Sequence, residues 1–309
     1  MADVRQQAAL LALLEGVSQR WHQVAALVER TGSALALVRD GARAVDADEA
    51  EFAATLTAGV SDADVDRYAT AIARWTEGDA RLVTVLDEDY PLNLQEIFNR
   101  PPFLFIRGNL GMRDGRAVAV VGTRQASGEG QAQARALASG LAEHGVTVLS
   151  GLARGIDTAA HEGALAAGGR TIAVLGAGIR RPIYPAENRG LAQRILEQGA
   201  LISQFWPDAP PTQATFPLRN VTMSGLALGT VVVEARGQSG ASLQARRCLE
   251  HGKRLFLVRS LVLREDWARS YAEHPGVLVV DSAVDVIDVI DVIDVLDELV
   301  DPPAQLTIC

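Results

Sequence analysis

VTVLSGLARGIDTAAHEGALAAGGRTIAVL, residues 146–175, holds two short β-branched apolar runs on either side of a glycine turn and an alanine-rich stretch. The first run stops at Ser150-Gly151, and the second covers 171–175. Between them a turn carries Arg154 and Gly155, and Asp157 opens a helix. Strand, turn, helix and strand in thirty residues describe one unit of a parallel sheet. Glycines let the backbone fold tightly, and a helix start presents N–H groups without internal partners. With a guanidinium added, the turn is either a seat for a phosphate or an ordinary strand-to-helix turn with a surface arginine.

The same alternation extends outward. Strands are expected at 82–86, 103–107, 117–121, 146–149, 171–175, 200–203, 230–234 and 254–258, with helices near 128–143, 157–167, 187–198, 220–228 and 240–251. Continuous apolar strands separated by helices predict a mostly parallel sheet covered on both faces, so 81–282 reads as a doubly wound α/β domain. Ahead of it, residues 1–80 read as a small helical domain. Leu10, Leu13, Leu14 and Val17 form one apolar face, and Val65, Tyr68, Ile72 and Trp75 form another. Behind it lies an acidic tail, 283–309, whose DVIDVIDVIDVLD repeat steps every three residues and winds its aspartates around a helix. No chemistry is assigned to that repeat. The ending from Pro302 to Cys309 reads as a linker.

Composition narrows the function. No apolar run reaches membrane-spanning length, and the N-terminus lacks a signal-peptide layout, so a cytoplasmic protein without membrane attachment is expected. Cys248 and Cys309 have no metal-ligand neighbours at useful spacing, which argues against a zinc site or disulfide framework. The net charge of −9 conceals a segregation of sign. Residues 1–80 carry −6, residues 81–260 carry +6, and residues 261–309 carry −9. A basic centre between acidic flanks suits a core that holds a polyanion.

Ligands of doubly wound sheets bind outside the carboxyl ends of the strands, and that rule selects the loops that matter. VVGTRQASGEG supplies Gly122, Arg124 and Ser127, and the central turn supplies Gly151, Arg154, Gly155 and Asp157. FPLRN places Arg219 and Asn220 at a helix start, and ARGQSGAS adds Gly237, Ser239 and Gly240. Arg170 is a further cation, but it precedes its strand, and topology alone does not bring it to the same edge. Asp157, Ser127 and Asn220 are all expected to cap helices, whatever else they do. His161 reads first as a packed histidine. Glu234, at a strand end, is the best candidate for a catalytic carboxylate, but no second carboxylate accompanies it. Arg181 stands where a dinucleotide fingerprint beginning at Gly176 needs glycine, and no P-loop occurs, so no nucleotide cofactor is expected.

Taken together, DEDYPLNLQEIFNRPPFLFIRGNL at 87–110, VVGTR at 120–124, the 150–178 segment, YPAEN at 184–188, FPLRN at 216–220 and VVVEARGQSGAS at 231–242 resemble the DNA-processing protein A family, DprA or Smf. The resemblance implies a Rossmann-like domain behind a SAM-like helical domain. It also implies binding of single-stranded DNA through a basic pocket, without catalysis. Members protect incoming strands during natural transformation, help load the RecA recombinase, and act as homodimers. Carried across by motif, the pocket cations are Arg124, Arg170 and Arg219, with Asn220 beside them and Arg154 at a variable turn position.

The chain also departs from the family pattern. Val221 stands where another arginine is usual, Gln204 where an acid is common, and RSLVLREDW replaces a proline-glycine segment, which puts the usual dimer surface in question. No winged-helix segment is expected after the core. The alternative is a phosphoribohydrolase of the LOG type, but its P-G-G-x-G-T-x-x-E motif is absent from SGLALGTVVVEARGQSG.

Overall fold

The computed structural model describes residues 3–17 and 20–300, with side chains through Ile293. The expected linker from Pro302 to Cys309 lies outside the described residues. Helices come first: α1 (Val4–Leu14), α2 (Trp21–Thr31), α3 (Ala34–Asp40), α4 (Ala50–Thr57) and α5 (Asp62–Trp75). The apolar faces read from the sequence are the ones that bury, Leu10, Leu13 and Leu14 on α1 and Val65, Tyr68 and Ile72 on α5. Gly32 ends α2 with a φ of 69°, a conformation that a side chain disfavours.

Among the described residues the strands form one sheet. They are β1 (Ala80–Thr84), β2 (Phe103–Gly108), β3 (Ala117–Val121), β4 (Thr147–Ser150), β5 (Thr171–Val174), β6 (Ala200–Ser203), β7 (Gly229–Val232), β8 (Arg254–Val258) and β9 (Val277–Val280). Their order across the sheet is β1-β2-β6-β5-β4-β3-β7-β8-β9. β2 runs antiparallel to β1 and β6, and every other neighbouring pair is parallel. The connecting helices are α6 (Leu92–Gln95), α7 (Gly128–Glu143), α8 (Ile156–Ala166), α9 (Arg189–Gln198) and α10 (Thr215–Leu226). They continue with α11 (Gly240–Glu250), α12 (Arg259–Arg264), α13 (Asp266–Ala272) and α14 (Ala283–Val300). Strand order reverses at β3, with β4 to β6 on one side and β7 to β9 on the other. That reversal opens a crevice at the carboxyl ends of β3 and β7.

Both faces of the sheet are covered, as the unbroken apolar strands require. Val118 and Val120 of β3 point to a layer containing Leu137 and Leu141 of α7 and Ala160 and Ala164 of α8. Ala117, Ala119 and Val121 point the other way, toward Met223 of α10 and Ala245 of α11. This second core continues without a break into the N-terminal helices. Trp21, Tyr68 and Trp75 meet Phe103, Phe105 and Trp206 there with ring centroids 5.3–6.2 Å apart, and Gln7 Nε2 donates to Leu82 O at 3.2 Å.

Five elements differ from expectation. β9 and the short helices α12 and α13 occupy a stretch for which no strand or helix is expected above. α10 begins at Thr215, five residues early, because Pro217 sits in its first turn, where no backbone donor is needed. The acidic tail does not start a separate segment at 283. Val286, Ile287 and Ile290 of α14 are buried in the core layer shared with α7, and Ala283 packs against Gly140. Two of every three residues in the repeat are apolar, so the inward face always finds valine or isoleucine, while Asp285, Asp288 and Asp291 stay exposed.

Candidate nucleic-acid interface

The loops after β3, β4 and β7 are laced together by their own backbones. Thr123 N–H donates to Glu234 O at 2.6 Å, and Ile156 N–H donates to Thr123 O at 3.2 Å. Gly122 and Gly155 make this approach possible. A Cβ on Gly122 would lie 2.8 Å from Glu234 O, and one on Gly155, whose φ is 75°, would lie 2.9 Å from Arg124 O. Within the turn after β4, Leu152 is fully buried with a φ of 56°, a backbone strain that the surroundings must hold in place. Asn188 does much of the holding, donating from Nδ2 to Leu152 O and to Thr158 Oγ1, both at 2.9 Å. Asp157 Oδ2 closes the turn by accepting from the N–H groups of Gly151 at 3.1 Å and Ala153 at 3.3 Å.

Arg219 lies beneath this turn, only 7% exposed. Its Nη1 donates to Val174 O at 2.7 Å and its Nε to Asn220 Oδ1 at 3.1 Å, and the guanidinium fills the space a side chain on Gly151 would need. Burial lowers its pKa, while the Asp157 charge opposes that shift. Burial likewise pushes the Asp157 carboxyl above its usual range, against the attraction of Arg219. His161, one helical turn further along α8, is fully buried, and burial holds its pKa at about 3. Its Nδ1 lies 2.6 Å from Thr171 Oγ1, which itself donates to Val148 O, so the imidazole is a packed neutral group.

Above this floor opens a cleft of about 820 Å³. Gly122, Arg124, Arg219, Asn220, Ser239 and Gly240 all line it, with Tyr184, Phe216, Leu243 and Gln244. Arg124 is exposed and makes no hydrogen bond or ion pair among the described residues, and its Cζ stands 4.9 Å over the Phe216 ring. Tyr184, 54% exposed, lies 6.3 Å from the same ring. A smaller adjoining hollow is shared by Arg124, Gly151, Arg154, Tyr184 and Phe216. Arg154 is held there by Glu187, with Nη2 to Oε2 at 2.9 Å. Gln244 is buried behind the cleft wall, its Nε2 directed to Thr230 Oγ1 at 3.4 Å. Ser239 caps α11, accepting from Ser242 N–H at 3.2 Å, and an unpaired cation over an aromatic ring beside that helix start is equipped to meet a phosphate with a base next to it.

Not every expected residue joins this group. Arg170 sits at the opposite, amino-terminal end of β5, bound through Nε and Nη2 to Asp114 at 2.9 and 2.8 Å and through Nη1 to Gln198 O at 2.6 Å. With its side chain 13% exposed and every donor group engaged, it braces the far edge of the sheet. Ser127 does cap α7, accepting from Gly130 N–H at 3.0 Å, but its hydroxyl donates to Glu234 Oε2 at 2.9 Å on the other side of the β3 loop. Glu234 also accepts from Ser127 N–H at 3.0 Å, so its carboxylate is committed to that helix start. Asp157 and Asn220 are not caps. Asp157 is already inside α8, and Asn220 lies within α10, where its Nδ2 donates to Gly240 O at 3.2 Å. Asn188 was missed as a positioning residue, and its place in the YPAEN motif was the only signal. Among the described residues no cluster of His, Cys, Asp and Glu could hold a metal ion, and no helix is long and apolar enough to cross a membrane.

Comparison with known proteins fits this geometry. The DNA processing protein DprA of Streptococcus pneumoniae is 37% identical over 207 residues, which cover 66% of this chain and 72% of that protein. Protein Smf of Escherichia coli is 44% identical over 176 residues, 57% of this chain and 47% of Smf, so the match spans about half of that relative. The structure of the S. pneumoniae protein superposes with a TM-score of 0.72 at 28% identity, covering 93% of this chain and 98% of the other. DNA processing protein A from Helicobacter pylori, studied for its single-stranded DNA binding mode, shares the fold with a TM-score of 0.61 at 24% identity over 70% of this chain and 97% of its own. The model of the DNA recombination-mediator protein A family matches residues 81–280. Motifs, sheet order and these relatives agree, and the chain belongs to the DNA recombination-mediator protein A family, whose relatives carry the names DprA and Smf.

Proposed function

We propose that this protein binds single-stranded DNA without reading its sequence, using the cleft at the β3–β7 switch point as a phosphate-and-base seat. The observation that carries this reading is the unpaired Arg124 guanidinium over Phe216, at the mouth of a cleft that Arg219 also lines. Arg154 and the Gly240 backbone stand beside it as further contacts for a strand. Glu234, tied to Ser127, supports a binding role in preference to hydrolysis of a nucleotide. Family membership supports the wider reading: a cytoplasmic protein that acts as a homodimer, protects incoming strands in natural transformation and passes them to the RecA recombinase.

Titration of labelled oligonucleotides by fluorescence anisotropy across a salt series tests the core of this proposal. Single strands of different composition bind alike, a duplex binds more weakly, and the logarithm of affinity falls linearly with the logarithm of salt concentration. Absence of single-strand binding at low salt refutes it.

A further inference from the structure

A second groove, of about 740 Å³, lies where α5 meets the loop after β6. Tyr68, Trp75 and Trp206 line it, and Arg67 and Arg74 stand beside them. Tyr68 and Trp206 stack at 5.8 Å with 27° between their planes. The loop after β5 joins this groove to the nucleic-acid cleft. On one side Arg181 shares a hollow with Gly151, Tyr184 and Phe216. On the other, Gly178 N–H donates to Ala209 O at 2.9 Å and Arg180 N–H to Pro207 O at 3.0 Å, which fixes the loop to the groove wall. Arg180 Nη1 then reaches Arg74 O at 3.4 Å, and its Nε lies 3.5 Å from Asp208. The side chains of Arg181 and Arg74 are exposed and make no hydrogen bond or ion pair among the described residues.

Resting on the function proposed above, we infer that a single DNA strand leaving the cleft past Tyr184 continues over Arg181 and Arg180 into the Trp75–Trp206 groove. This second binding segment is contributed jointly by the N-terminal helices and the sheet. Charge supports a nucleic-acid occupant. Glu15 and Asp64 are taken by Arg67 and Asp208 lies beside Arg180, which leaves the exposed Arg74 and Arg181 side chains as uncompensated cations along this path. Flat indole faces beside cations suit bases of any identity, because stacking is tolerant of sequence. A purely apolar peptide would fit the aromatic floor but would leave Arg181 and Arg74 without a partner.

The test compares wild type with an Arg74→Ala/Arg181→Ala double variant on oligothymidylates of about 5 and about 20 nucleotides, lengths that span the usual range of single-strand sites. Both side chains are exposed, so the fold is not at risk. The double variant binds the short oligomer as wild type does. On the long one its salt slope falls by about 1.4, or 0.7 for each lost phosphate contact. The long oligomer also quenches tryptophan fluorescence in wild type, and the short one does not. Equal binding of both lengths by the double variant and wild type overturns the extension and leaves the groove to a protein partner. Arg124→Ala separates the two ideas. If it weakens both lengths while the double variant weakens neither, only the extension fails. If Arg124→Ala changes neither length, the cleft itself is misassigned.

Discussion

Gly151→Ala is the most informative single perturbation of the fold beneath the cleft. Gly151 does not have a positive φ, so alanine carries no backbone penalty there. The cost is purely one of contact. The added Cβ would sit closer than 3.0 Å to Nη1, Cζ and Nη2 of Arg219, and a buried guanidinium has nowhere to retreat without losing its bond to Val174 O. Displacing a buried, hydrogen-bonded charge from its partners costs about 3–5 kcal/mol. At about 2–4 °C per kcal/mol for chains somewhat shorter than this one, thermal unfolding shifts down by roughly 6–20 °C. A double-mutant cycle with Arg219→Met isolates the cause. Once the guanidinium is gone, the methyl group finds room, and the cost of Gly151→Ala falls below about 1 kcal/mol. Additive effects in that cycle, or a wild-type unfolding temperature for Gly151→Ala, would refute the close-contact argument.

Other outcomes follow from the same geometry. Glu187→Gln releases Arg154 from its exposed ion pair, so single-strand affinity rises and the salt slope steepens by up to about 0.7; unchanged titrations would show that Arg154 does not meet the strand. Phe216→Ala removes a stacking face and weakens binding by about 1–3 kcal/mol with the salt slope unaltered, so a changed slope would count against the stacking role. His161 titrates at about 3 when folded, against 6.5 in its ordinary state, so the unfolded chain takes up this proton first as pH falls. Its contribution to stability is complete above about 6.5 and drains away toward pH 3. Chemical denaturation between pH 7 and 4 therefore shows a steeper acid loss for wild type than for His161→Gln, and parallel curves would contradict it.

The α/β architecture was legible because its strands are buried on both faces and read as unbroken apolar runs between amphipathic helices. β9 was not, since Val277, Leu278 and Val279 are only partly buried at a sheet edge and the run is only four residues long, even though Pro275-Gly276 ahead of it marks a turn. The cleft was legible as a set of loops, because topology alone sends the ends of β3, β4 and β7 to one edge. What sequence could not supply was the division of labour among the arginines. Arg124, Arg170 and Arg219 look alike as letters beside glycines and serines, yet one is free, one is spent on Asp114, and one is buried as the floor. Motif position misled for Arg170, because a residue that precedes its strand belongs to the far end of a parallel sheet. Asp157 and Asn220 were misread as caps for a related reason. Their neighbours in space, Gly151 and Gly240, are not their neighbours in sequence.

The central claim is that one free guanidinium at the switch point grips a DNA phosphate. Salt-dependent binding of a single strand by Arg124→Ala and Arg170→Ala, measured side by side, addresses it directly. Arg124→Ala lowers the slope of log affinity against log salt by about 0.7, whereas Arg170→Ala leaves that slope unchanged and lowers only thermal stability. A reduced slope for Arg170→Ala with none for Arg124→Ala would put the strand at the opposite edge of the sheet and contradict the account.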